Sequence, residues 1–233
     1  MKLIKTNNSY KKLLRPALLA SLFLTAMLCG LFAAPRVGLA AMSIKVDDII
    51  GFGAYSWRVL DVQNGMALIL SERVIEERAY NEIPFETYIG VTWETCTLRE
   101  YLNGEFYNRF NAKEKARIVK TRAPNNDNPW YVTRGGNATD DYIFLLSLEE
   151  LVKYYGDTGR LRSRPSGEEG IDDRFSIVRI AENTAGKLSW WWLRSPGSHG
   201  KLAAGVHTDG WVNVLGYYVD GSGGVRPALW LKL

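Results

Sequence analysis

The residue types that carry most enzyme chemistry are sparse in this chain. Its two histidines, His199 and His207, both fall in the C-terminal third, and Cys96 is the one cysteine beyond the N-terminal forty residues. No HExxH, CxxC or GxSxG pattern occurs, and no glycine-rich phosphate loop. Glu168-Glu169 and Asp172-Asp173 are the paired carboxylates that general acid–base work would use, but they lie in a polar stretch where acids are ordinarily solvated. Asp140, Asp141 and Asp220 are hard oxygen ligands of the kind calcium takes, yet their spacing does not fit an EF-hand loop. No metal and no cofactor is therefore expected. Cys96, with no second cysteine to pair with, reads as a small buried hydrophobe.

Aromatic residues are plentiful instead, with 8 Trp and 12 Tyr. Ser189–Gly197, SWWWLRSPG, places three tryptophans in one strand-like run. Side chains alternate along a strand, so Trp190 and Trp192 share a face and Trp191 takes the other. Two readings stand. Both faces are core, or one is core and the other a ligand platform. Two large side chains bury more apolar area than one, so Trp190 and Trp192 are assigned to the covered side and Trp191 to the open one. Arg194 ends this strand and Arg226 holds a similar place in GVRPALWL; both are expected to anchor loops through carboxylates or carbonyls.

The elements that must position these groups can be read around them. Asn64-Gly65 between two apolar runs predicts a hairpin of Tyr55–Gln63 with Met66–Ser71. Thr97-x-x-Glu100, Asn111-x-x-Glu114 and Ser147-x-x-Glu150 are capping boxes, predicting helices from Leu98, from Ala112 to Ile118, and from Leu148. The last follows a buried strand, Ile143–Leu146, and Gly156 is placed to end it. Residues 124–141 and 156–173 read as long surface loops. Four short strands follow: Trp190–Arg194, Ala203–Thr208, Trp211–Leu215 and Val225–Leu231. The fold class is α+β: an N-terminal β-hairpin, two or three short helices, and a curled antiparallel C-terminal sheet.

The formal charge of +4 comes from the N-terminus. Residues 1–41 hold Lys2, Lys5, Lys11, Lys12, Arg15 and Arg36 and no acid, which leaves 23 of the 29 basic residues against 25 acidic ones. The remainder is slightly acidic, so no nucleic-acid partner is expected. The basic stretch, the apolar run 17–34 and the small residues that follow read as a signal peptide, 1–41, cleaved near Ala40 or Ala41. An uncleaved anchor through 17–34 is the competing reading, and a membrane is a partner only in that case. Residues 42–233 read as a single domain, secreted or extracytoplasmic.

The motifs FGxYxWRVLDV, TWETCTLREYLNGEFYNRF, FLLSLEELVKYYG, WWLRSPG and GVRPALWL together resemble a bacterial domain family of unknown function whose members are often exported. A tryptophan-rich strand paired with a terminal G-[VF]-R-P strand is more distantly similar to the C-type-lectin-like fold of formylglycine-generating enzymes and bacterial display proteins. Those enzymes use a cysteine pair that this chain lacks beyond its leader, so their activity is not implied. The display proteins hold ligands on the C-terminal sheet. That resemblance implies Trp191, Ser195, His199, His207, Trp211, Tyr217 and Tyr218 as ligand-binding candidates.

The resulting expectation is a C-type-lectin-like, non-enzymatic binding module, secreted or surface-associated, whose partner is a glycan or a protein or peptide ligand at the cell surface. Aromatic planes with a polar edge suit both. The alternatives are a carbohydrate-active hydrolase using paired carboxylates and a structural envelope protein.

Overall fold

The structure is a computed structural model describing residues 43–83 and 90–233. The expected signal segment, 1–41, with its apolar run 17–34, lies outside the described residues. Among the described residues no helix is long and apolar enough to cross a membrane. The fold is α+β: two open sheets carry most of it, with a few short helices.

Strands β1 (Ile49–Phe52), β2 (Tyr55–Gln63) and β3 (Met66–Ser71) form an antiparallel meander. The expected turn closes β2 on β3, with φ of 51° at Asn64 and 71° at Gly65. Two consecutive positive φ values twist a two-residue turn to match the strands, and Asn-Gly tolerates them. After β4 (Glu76–Ala79) comes α1 (Thr97–Tyr101). Its cap is Cys96, one residue before the expected Thr97, because the Thr97 hydroxyl is taken by the Glu82 N–H at 2.9 Å. The chain then widens into a π-helical turn, Leu102–Phe106, and a 3-10 turn, Tyr107–Arg109. Asn103 explains the widening. Its amide donates to the Arg99 and Ile143 carbonyls and accepts from the Tyr142 N–H, tying this turn to a distant segment.

Helix α2 (Ala112–Lys115) has the expected capping box but stops short of Ile118. Ile118 belongs instead to β5 (Ile118–Val119), paired with Leu231. Strands β6 (Thr121–Ala123) and β7 (Thr139–Asp141) form a separate ribbon. Residues 143–146 are fully enclosed but do not form the expected strand; Phe144 alone pairs, exchanging backbone bonds of 3.0 and 2.7 Å with Ala228. Helix α3 (Leu148–Tyr155) begins at the Ser147–Glu150 box and ends at Gly156, φ 87°. The two-residue β8 (Gly170–Ile171) and the single turn α4 (Ser176–Arg179) follow.

The C-terminal sheet is built from β9 (Trp191–Pro196), β10 (Leu202–Val206), β11 (Val212–Tyr218) and β12 (Ser222–Val225). Its strand order is β4-β12-β9-β10-β11-β8. The run expected as one strand, Val225–Leu231, is two. Proline has no N–H to give a ladder, so Arg226-Pro227 ends β12, and the chain crosses into the other sheet as β13 (Ala228–Lys232). There it lies between β3 and β5, giving the order β1-β2-β3-β13-β5. This crossing point joins the two sheets, and the buried Arg226 sits at it.

Candidate functional site

The tryptophan strand is core on both faces. Trp191 and Trp192 are each 0% exposed, which corrects the expectation that Trp191 faces the open side. The alternation itself holds. Trp190 and Trp192 share one face, 4.6 Å apart edge-to-face, with Tyr217 4.3 Å from Trp190 and Tyr80 5.5 Å from Trp192. Trp191 faces the other way, donates its indole N–H to the Arg179 carbonyl at 3.2 Å, and lies 4.9 Å beneath the Arg226 guanidinium. What covers it comes from residues 12 positions before it and 35 after it, which no strand pattern announces.

The other candidates are dispersed. Ser195 is buried and its hydroxyl accepts the Leu148 N–H at the start of α3. His207 and Trp211 flank the β10–β11 hairpin loop, their rings 6.3 Å apart. Asp209 in that loop accepts the Trp211 N–H and lies 3.1 Å from His207 Nδ1, contacts that hold its carboxyl below the usual range. His199 and the exposed Tyr218 belong to the opposite end of the same strands, where Leu202 pairs with Tyr218. Four strand steps separate the two ends, about 13 Å. Tyr217 is half-buried in the aromatic cluster. The structure therefore disperses these seven residues: Trp191 and Ser195 lie inside, Tyr217 in the aromatic cluster on the opposite face, and the other four at the two ends of β10 and β11.

Arg194 and Arg226 are both buried. Arg194 pairs with both carboxylate oxygens of Glu150 and donates to the Leu145 and Pro124 carbonyls. Of the acidic candidates, Asp141 is buried and held by Arg99 at 2.7 Å and the Trp93 indole N–H at 2.8 Å. Asp173 accepts from the Thr158 N–H and pairs with Arg179 at 3.1 Å, while Asp172 accepts the Ser176 hydroxyl. Among the described residues no three His, Cys, Asp or Glu side chains group as a metal site.

A cleft that the sequence does not announce lies at the junction of the two sheets. It measures about 740 Å³, within the roughly 300–1,000 Å³ typical of ligand sites. Asp47 before β1, Leu60 and Arg58 of β2, Glu72 and Arg73 after β3, Tyr154 and Tyr155 of α3, the 177–182 segment apart from Arg179, Leu188 and Arg226 line it. Its wall is α4, and that turn is built inside out. Ser176 and Arg179 occupy its buried positions, while Ile177 is 71% and Val178 53% exposed. Arg179 is affordable inside because Asp173 neutralises it and the Gly156 carbonyl accepts from it at 2.6 Å. From behind, the loop at Gly210 fixes the turn: with φ of 84°, a Cβ there would overlap the Ser176 carbonyl. Leu188, 57% exposed, extends the apolar wall.

The floor is polar. Arg58 and Glu72 form a two-pronged pair at 2.9 and 2.6 Å, and Glu72 holds the Arg58 guanidinium above its ordinary value. Arg73 and Glu182 pair at 3.0 Å on the rim. Arg226 donates Nε to the Ser71 carbonyl at 2.9 Å and Nη2 to the Glu72 carbonyl at 3.3 Å. Its Nη1 and the Tyr155 hydroxyl are buried without a hydrogen-bond partner. The arrangement offers hydrogen-bond donors beneath an exposed aliphatic wall.

An open two-sheet α+β domain with such a cleft is the class of molecule the geometry defines. Residues 64–233 match the family described as a domain of unknown function (DUF6273), and the chain belongs to that family. No curated protein and no solved structure matches it significantly.

Proposed function

We propose that this chain is a non-enzymatic binding module, exported to or beyond the cell surface, which holds a glycan or peptide ligand in the cleft beside α4. The observation that carries this reading is the inverted turn. A four-residue helix that spends its buried positions on Ser and Arg and turns Ile177 and Val178 to water forgoes apolar burial. Such a patch, rimmed by polar groups, is the ordinary mark of a surface that is covered by something else. The C-type-lectin-like reading is supported by the pairing of the tryptophan strand with the Gly-Val-Arg-Pro segment, Gly224 beside Trp191.

The test is a combined glycan and peptide array probed with residues 42–233 and with the Val178→Asp variant. Retention of one ligand class by the parent and its loss in the variant supports the reading. A blank array, or ligands retained equally by both, contradicts it.

A further inference from the structure

We infer that the cleft takes the free C-terminal carboxylate of a peptide ending in aliphatic residues; this rests on the cleft being the ligand site. The argument begins with charge. The lining holds three carboxylates, Asp47, Glu72 and Glu182, and three arginines. Glu72 and Glu182 are matched by Arg58 and Arg73, and the exposed Asp47 acts on Arg58 as well. Arg226 is not matched. It is 3% exposed, its two bonded nitrogens face neutral carbonyls, and among the described residues no carboxylate oxygen lies within 4.0 Å of it. A buried cation without a counter-ion is costly, and an anion arriving from outside would relieve that cost. Arg226 Nη1 and the Tyr155 hydroxyl are buried donors without a partner on two residues of one lining, and a two-oxygen anion that reached them could use both.

The wall then narrows the class of anion. Ile177, Val178 and Leu188 form a branched aliphatic wall, with Tyr154 and Tyr155 of α3 also lining the cleft. Exposed branched aliphatic side chains are best covered by another apolar side chain, which removes both surfaces from water. A chain-terminal Leu, Ile or Val carries the carboxylate and the branched side chain on one Cα. That is the most compact way to meet floor and wall together.

The experiment is an NMR titration of residues 42–233 with acetyl-Ala-Val-Leu bearing a free carboxylate and with its C-terminal amide, at low and high salt. The acid should bind, with shifts at cleft residues and weakening at high salt, and the amide should bind about tenfold more weakly or worse, as loss of a charged hydrogen bond implies. Arg226 also braces the fold, so the diagnostic variant is Tyr155→Phe, which removes one hydroxyl. It should weaken the acid severalfold and leave the amide unchanged. Equal binding of acid and amide, or no binding of either, overturns the chain-end inference. The broader reading is judged separately by the array: a ligand lost in Val178→Asp, whether glycan or peptide, preserves the cleft as the site, and ligands that persist in Val178→Asp overturn both.

Discussion

At the scale of single residues, the tryptophans show how little exposure follows from side-chain type. Trp191→Ala and Trp192→Ala should each cost about 3–5 kcal/mol, since each ring is fully enclosed. Trp190, half-buried at the edge of the same cluster, should cost clearly less. Thermal melts of the three variants check the ranking. Cys96 makes a second case. Its thiol caps α1 from a buried position, and burial pushes it up to about 12. A thiol in the unfolded chain titrates near ~8.5, so the folded state holds the proton more tightly. This contribution is complete below pH ~8.5 and is lost as the pH rises through about 12. Denaturant midpoints should therefore fall more steeply above pH 8.5 in the parent protein than in Cys96→Ala, and the folded protein should resist alkylation at pH 8. Equal pH dependence in the two proteins would contradict the assignment. The alternation of the tryptophans was legible because it is a property of any strand. That both faces are covered was not, because Arg179 and Arg226 reach Trp191 from other elements.

At the scale of elements, local signals were read well wherever the chain satisfies itself locally. The Asn64-Gly65 turn and the caps at Asn111 and Ser147 are closed by residues at most three positions apart. Ser147→Ala should cost about 1 kcal/mol, the usual worth of such a cap. Glu150→Ala should cost more, about 3–5 kcal/mol, because Glu150 also neutralises Arg194, whose side chain is 1% exposed. That second duty spans 44 residues and left no trace in the capping motif. The division of Val225–Leu231 had its signal in Pro227, though not its consequence, a strand that changes sheets. Turn α4 was illegible for a physical reason. One helical turn has no periodicity to detect, and its apolar residues point the wrong way for the usual amphipathic rule. Ile177→Asp and Val178→Asp should therefore leave the melting temperature almost unchanged, whereas Gly210→Ala should lower it sharply by pushing into Ser176.

At the scale of the whole molecule, the family match begins at residue 64, yet the five-stranded sheet does not. Strands β1 and β2 precede that point, and β2 pairs along the full length of β3. A chain truncated to begin at Asn64 would leave the edge of β3 bare and uncover Leu68 and Leu70, so it should be insoluble or unfolded by circular dichroism, while residues 42–233 should fold. The crossing at Arg226-Pro227 welds the two sheets, and the cleft lies where they meet. Its location thus depends on the pairing of the last strand, β13, with β3, more than 150 residues earlier, which no local stretch records. The most direct measurement of the central claim is binding of an array-identified ligand to two sets of variants of equal stability. One set carries Ile177→Asp and Val178→Asp in the cleft; the other carries His207→Ala and Tyr218→Ala at the two ends of β10 and β11. Loss of binding in the first set alone is the predicted result, and loss in the second set with the first intact would contradict the account.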